Sequence, residues 1–382
     1  MEQMLVLLVG AILINIVTKL FTYQLPLVLT DMGYSLMEIS GLFTLSVLLF
    51  QIVRIFLARV SDHYGKKLFF VVSPLLGIVG NTLPFLYLKY GVLLLANFLN
   101  GLVLDVWNMV YTPSVLGAVA HERIAKEYNK WIVTPGLVSG LILVVFLSAF
   151  SAVSFEVLLA VNTVVLGAAL LLVSSIKIRH VKPKRRSIKS IFTVKSPGLR
   201  RLVVFNLFSG IRTAAGWTFL MPLLMKGVYG FSNNMTIVYI VCIEIVWGMF
   251  TFLTARLNDI DHIKYPVIGM SITTLATFLT FLYYDRLVFL TILLVIQTFG
   301  ISFVISSVGK VMKQNIGEEA ARETNIIGAA EIAGKAIGFA LVGPIATVFT
   351  LRSVFLVKGV LTAVLVFIYA GFSKRMFKEH FV

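Results

Sequence analysis

The sequence predicts an all-α membrane protein, with twelve transmembrane helices in two pseudo-symmetric six-helix bundles. Composition is the first observation behind that reading. Of 382 residues, 59% are apolar and 13% charged, and the mean hydropathy is +0.96. Soluble domains sit nearer half apolar and a quarter charged, so this chain carries more apolar surface than one aqueous core can hide. The second observation is a series of apolar runs, each near the roughly 20 residues that a helix needs to cross a bilayer. The third is an internal repeat. Ala58-Arg59-Val60-Ser61-Asp62 recurs as Ala255-Arg256-Leu257-Asn258-Asp259, and Ala125-Lys126-Glu127-Tyr128-Asn129 as Ala321-Arg322-Glu323-Thr324-Asn325. Gly33-Tyr34-Ser35 recurs as Gly230-Phe231-Ser232. All three pairs stand about 197 residues apart, which marks a duplicated unit of half the chain.

The first six spans fall at roughly 5–28, 36–57, 68–88, 91–118, 131–152 and 155–176. The second six fall at roughly 202–225, 235–255, 265–284, 287–312, 326–348 and 352–373. The first run has no basic start and no small-residue cleavage site after it, so it reads as a span rather than a cleaved leader. Residues 177–201 form the longest polar stretch, with Lys182, Lys184, Arg185, Arg186 and Lys189 beside Pro183 and Pro197. The expected organisation is an N-terminal bundle over 1–176, a cytoplasmic basic linker over 177–201 and a C-terminal bundle over 202–382.

The net charge is +16. Its distribution argues for orientation in a membrane and against a nucleic-acid partner. Loops after even-numbered spans, together with the tail, hold about 24 Lys and Arg, against about four on the other side. That asymmetry places both termini and the linker in the cytoplasm of a multi-pass protein of the cell membrane. The single cysteine, Cys242, lies in an apolar run and cannot form an internal disulfide.

Between spans 2 and 3 stands Ala58-Arg59-Val60-Ser61-Asp62-His63-Tyr64-Gly65-Lys66-Lys67. This segment resembles the signature loop of the major facilitator superfamily, in which a small residue, an Asp, a Gly and a basic pair follow span 2. Asp62, Gly65, Lys66 and Lys67 match that pattern, and the usual leading Gly is missing. The second-half copy keeps Asp259 without the Gly and the basic pair. The segment from Pro26 to Gly41 is also similar to the family. The resemblance implies the major facilitator fold, and a gating role for Arg59, Asp62, Gly65, Lys66, Lys67 and Asp259 at the interface of the halves. Two departures weaken an export-type reading: Asn97 and Asn100 precede Gly101 where many members carry an Arg, and in span 5 Pro135 precedes Gly136 and Gly140 instead of following them. A Gly-x-x-x-Gly pair also permits close helix packing, and span 11 repeats the spacing at Gly334 and Gly338.

Ionisable residues inside spans are costly and point to function. Those found are Lys19, Arg54, Asp105, Arg212, Glu244, Glu331, Lys335 and Lys358. All but Lys358 fall on the spans that line the cavity in the resembled fold, and Lys358 reads as snorkelling to the interface. Lys19 and Arg212 sit on spans 1 and 7, which correspond across the repeat, and would face an anionic or strongly polar substrate from opposite walls. The competing reading pairs Lys19 with Asp105 and Arg212 with Glu244. Arg54, near the cytoplasmic end, would pair with the signature loop. Glu331 and Lys335 are four apart and share a helix face. Trp107 and Asn108 would add polar-aromatic lining, although burial as a structural residue is the commoner fate of a tryptophan. Burial disfavours the charged form of a carboxyl, so Asp105, first, then Glu244 and Glu331 are the candidates for proton coupling.

No chemistry of another class is visible. Gly328 to Lys335 resembles a phosphate loop but has five intervening residues, and Ala336 stands where Ser or Thr would hold Mg²⁺. No His or Cys cluster has metal-ligand spacing, and no Gly-x-Ser-x-Gly turn occurs. No cofactor is expected and the chain is not read as an enzyme. The expectation is a monomeric secondary transporter that moves a small solute by alternating access, coupled to protons, in the lipid bilayer. The alternatives are a multidrug-type efflux carrier and a non-transporting receptor or scaffold on the same fold.

Overall fold

The computed structural model describes residues 2–64, 66–118, 124–150, 153–175, 197–315 and 320–371. The first six helices are α1 (Glu2–Asp31), α2 (Leu36–Tyr64), α3 (Lys66–Leu86), α4 (Tyr90–Ala118), α5 (Ile124–Ala149) and α6 (Phe155–Ser174). They are spans one to six. The seventh crossing is broken into α7 (Pro197–Thr213), a π-helical turn (Ala214–Thr218) and α8 (Leu220–Gly227). Spans eight to twelve are α9 (Asn233–Ile260), α10 (Lys264–Tyr283), α11 (Leu287–Asn315), α12 (Ala320–Val348) and α13 (Leu351–Ala370). Eleven of the helices are individually long and apolar enough to cross a membrane. Large apolar side chains such as Leu171, Leu253 and Phe367 are exposed on the outside of the bundle, where lipid solvates them.

The helices overrun the apolar runs on one side. α2, α9 and α11 continue past their predicted ends, and α5 and α12 start about six residues early, all at the end of the bundle that carries the basic loops. A helix satisfies its own backbone hydrogen bonds, so it continues into water freely, and apolarity marks the membrane rather than the helix end. α7 likewise begins at Pro197, inside the stretch expected as linker; proline is favoured in the first turn, where its missing N–H leaves no bond unmade.

The repeat has a backbone counterpart. Gly33 (φ 83°) and Gly230 (φ 68°) are the two positive-φ residues among those described. Each ends a helix, and each is followed two residues later by a serine that opens the next one. The Ser35 hydroxyl accepts from the Glu38 N–H at 3.3 Å, and the Ser232 hydroxyl from the Met235 N–H at 3.3 Å. Glycine at the left-handed stop and serine at the N-cap are what such a turn requires.

Within the first half, α1 packs on α4, α5 and α6, and α3 on α4 and α6. A buried amide cluster ties three of these helices together. The Asn81 amide donates to Asn100 Oδ1 at 3.1 Å, and Asn162 donates to Asn81 Oδ1 at 3.3 Å. Within the second half, α7 packs on α12 and α13, and α10 on α11 and α13. Two seams join the halves, α5 against α9 and α2 against α12. Asn129 donates to the Thr251 carbonyl at 2.8 Å across the first seam, and Gln51 to the Ala329 carbonyl at 3.1 Å across the second.

The glycine pairs of spans 5 and 11 differ. Gly334 lies on the backbone of α7, where an added Cβ would stand 2.0 Å from the Leu207 carbonyl oxygen, and a Cβ on Gly338 would meet the Ile211 carbonyl at 2.6 Å. This approach sets Glu331 and Lys335 of α12 beside α7. Gly140 packs on Val241 and Ile245 across the seam, whereas Gly136 has nothing within 4 Å of an added Cβ. Gly334→Ala should therefore lower the unfolding temperature of the purified protein by several degrees, and Gly136→Ala should leave it unchanged, as read by thermal denaturation in detergent.

Candidate functional site

A cavity of about 650 Å³ lies between the halves. α2 and α4 contribute Arg54, Asp105 and Asn108; α7 and the π turn contribute Arg212 and Trp217. Glu244 comes from α9, Gln297 from α11, Glu331 and Lys335 from α12, and Lys358 from α13. The rest of the wall is largely apolar, with Phe50, Leu104, Phe205, Leu294 and Ile301 among its residues. Thr112, Ile132, Met312 and Thr324 carry the lining toward the end of the bundle that bears the basic loops.

At the opposite end the halves are held together. Lys226 at the end of α8 pairs with Asp31 at the end of α1. Asn233 joins both, donating to Asp31 Oδ2 at 3.0 Å and accepting from Lys226 at 2.9 Å. The Ser40 hydroxyl of α2 donates to the Phe339 carbonyl of α12 and accepts from the Gly343 N–H at 3.2 Å. Phe43 packs on Phe339, with ring centroids 5.1 Å apart.

Three ion pairs occupy the cavity's surroundings. Lys19 Nζ is 2.8 Å from Glu244 Oε2 and also donates to the Gly136 carbonyl at 2.9 Å. Glu244 accepts further bonds from the Tyr23 hydroxyl and, at 3.2 Å, from the Trp217 indole N–H. This pair crosses from one half to the other. Arg54 Nη1 is 2.8 Å from Asp105 Oδ1, a pair between α2 and α4. Lys335 Nζ is 2.7 Å from Glu331 Oε1 on the same face of α12. The pairing of Lys19 with Asp105 and Arg212 with Glu244 is thus replaced by different partners. The substitution follows from helix placement: Asp105 faces α2, while α9 brings Glu244 beside α1. Arg54 turns inward to Asp105 and Gly328 rather than down to the signature loop.

Two cations remain, and neither has a carboxylate within ion-pair range among the described residues. Arg212 lines the cavity with its Nε buried and without a hydrogen-bond partner. Lys358, expected to snorkel outward, is only 5% exposed. It lies on the face of α13 that packs inward with Phe355, Thr362 and Leu365, so its side chain runs into the protein. Its ammonium donates to Gln297 Oε1 at 3.1 Å and stands 6.0 Å from the centre of the Trp217 ring.

Asn108 is exposed on the cavity wall, as expected. Trp107 is not on it: the indole is fully buried against Phe70, Tyr111 and Gly10, because its side of α4 faces α1 and α3. Of the expected gating motif, Lys66 donates to Ser114 on α4 at 3.2 Å and Lys67 is exposed. Gly65 and the side chains of Arg59, Asp62 and Asp259 lie outside the described residues. Sequence reading missed Trp217, Gln297 and the Asp31–Lys226 contact, and it set Lys358 at the interface instead of in the cavity wall. One signal was present for Trp217. Pro222 has no N–H to offer the Thr218 carbonyl, which favours a loosened turn just before it.

The sequence matches the Major Facilitator Superfamily over residues 7–308. No curated protein sequence matches it. Among solved structures with the same fold is the human organic anion transporter MFSD10 (TETRAN), with a TM-score of 0.74 at 12% identity. That likeness covers 96% of this chain and 98% of the other. At such identity it speaks for the fold alone.

The different settings of the two indoles are open to measurement. In variants that keep a single tryptophan, with phenylalanine at the other positions, acrylamide should quench Trp217 severalfold more strongly than Trp107. Equal quenching would place Trp107 on the cavity wall after all.

Proposed function

The chain belongs to the major facilitator superfamily, and on that premise we propose that this multi-pass membrane transporter is a secondary carrier. It moves a small solute by alternating access, with protons coupled through a cavity carboxylate. The observation that carries the coupling is the Lys19–Glu244 pair, the one of the three cavity pairs whose partners sit on different halves. Asp105 and Glu331 each find their salt-bridge partner within their own half. Protonating Glu244 removes the negative charge that Lys19 answers across that seam. A carboxyl in a partly dry site exchanges its proton when a counter-charge arrives or leaves, and here the counter-charge belongs to the opposing half. Glu244 therefore takes the leading coupling role and Asp105 the second.

In this reading the basic end of the bundle is cytoplasmic, in keeping with the bias of Lys and Arg to that side. The cavity then opens inward, and the Asp31–Lys226–Asn233 cluster with the Ser40 contacts forms the closed outer gate. Rocking the bundles 1–176 and 202–382 about the cavity would break that gate and form another at the cytoplasmic end. The segment Arg59, Asp62, Gly65, Lys66 and Lys67, with Asp259 from the second copy, is placed by sequence to build the second gate.

Two measurements in vesicles test the proposal. Reconstituted protein should acidify or alkalise the lumen on addition of at least one member of a panel spanning organic anions, sugars, amino acids and cationic drugs. Glu244→Gln keeps the side chain's shape and an acceptor for Tyr23 and Trp217 but cannot load a proton. It should abolish that pH response while solute counterflow continues. Specific binding with no flux of any panel member would favour a receptor and defeat the transport reading.

A further inference from the structure

We infer that the cavity recognises a small organic acid, an anionic head on an apolar or aromatic body, and that Arg212, Lys358 and Trp217 form its binding site. The inference rests on the carrier reading for its setting and on separate observations for its content. Five cations surround this cavity with three carboxylates, and the three shortest pairings use Lys19, Arg54 and Lys335. Arg212 and Lys358 are left, both on the second half, on the packed helices α7 and α13. A guanidinium carries five N–H donors and cannot shed its charge. Half-buried on the cavity wall and without an acidic partner among the described residues, it retains most of its capacity to bind a carboxylate or similar anion through two parallel bonds. Lys358 adds a second basic group, 5% exposed, whose amine donates to a neutral acceptor, Gln297; an anion seated there favours its charged form.

The π turn is what brings these groups together. It begins two residues after Arg212 and presents Trp217, whose ring lies under the Lys358 ammonium and whose indole N–H reaches Glu244. Gly216, next to it, leaves the room that Lys358 occupies: a Cβ there would stand 2.9 Å from Lys358 Cδ and Cε. Interruptions of this kind recur at functional sites. The body of the ligand is set by the remaining wall, in which Phe50, Phe205, Leu294 and Ile301 dominate. A pocket of this volume, mostly apolar with a few convergent charges, is of the kind that encloses a small organic molecule. Because Trp217 contacts both the Lys358 region and Glu244, an anion seated on the two cations lies one side chain from the coupling carboxylate.

Equilibrium binding to the purified full-length protein tests this independently of flux. The probes are 2-naphthoate, its uncharged amide 2-naphthamide, the cation 2-naphthylmethylammonium, and acetate, which has the head without the body. Naphthoate should bind saturably and at least ten times more tightly than the other three. Arg212→Gln and Lys358→Gln should each weaken it about ten- to a hundredfold, the worth of one charge-assisted bond. Arg212→Lys and Lys358→Arg, which keep the charge, should lose less; they also report on the site if a neutral variant fails to fold. Equal affinity for the three naphthyl probes, preference for the ammonium, absence of naphthoate binding, or unchanged binding in both neutral variants overturns the inference. Tight, charge-selective binding without flux would defeat the carrier reading and leave this site standing. Proton-coupled flux of a cation that naphthoate does not inhibit would do the reverse.

Discussion

Charge in a bilayer has to be answered by opposite charge or by a polar ligand, and that constraint organises the centre of this molecule. Eight ionisable side chains are carried into the membrane-spanning region around one cavity. Six of them answer one another in pairs at 2.7–2.8 Å. The pairs are distributed unequally: one lies along a single helix, one joins two helices of the first half, and one joins the halves. The last is a direct ion pair between the two halves. Arg212 and Lys358 are left over, and the guanidinium of Arg212 gives the site a net positive sign.

Close backbone contact makes this arrangement possible. Gly334 and Gly338 let α12 lie on α7, which carries Glu331 and Lys335 to the cavity beside Arg212. The π turn that follows α7 then redirects the seventh crossing, so that Trp217 meets Glu244 on one side and Lys358 on the other. At the far end, the contacts of Asp31, Lys226 and Asn233 draw α1, α8 and α9 together and shut the cavity on that side. Packing, cavity shape and charge placement are in this way one problem, since moving α7 would alter all three.

Much of the architecture was legible because its causes are local or periodic. The spans follow from hydropathy, and their cores agree with the helices within a few residues. The Gly-x-Ser repeats at Gly33 and Gly230 marked the duplication, and each folds into the same stop-and-start turn, since a left-handed residue followed by an N-cap depends on those residues alone. Helix ends on the basic side were misplaced, because the signal used marks the membrane and not the helix. Lys358 was misplaced because depth along a helix is visible in sequence while the face it presents to its neighbours is not. Trp107 failed for the same reason: it lies next to Asn108 in sequence and on another side of α4.

The sequence by itself determined that the chain is a duplicated set of membrane helices, which way its basic loops gather, and which ionisable residues enter the membrane. Those are properties of composition, spacing and order. Only the tertiary structure decided which charges meet. Ion pairing falls off over a few ångströms, and the partners of Lys19 and Arg54 lie 225 and 51 residues away along the chain, on helices whose rotation is set by packing. The choice of Glu244 for Lys19, and the absence of any such partner for Arg212 and Lys358 among the described residues, are therefore results of how α7, α9 and α13 turn against their neighbours.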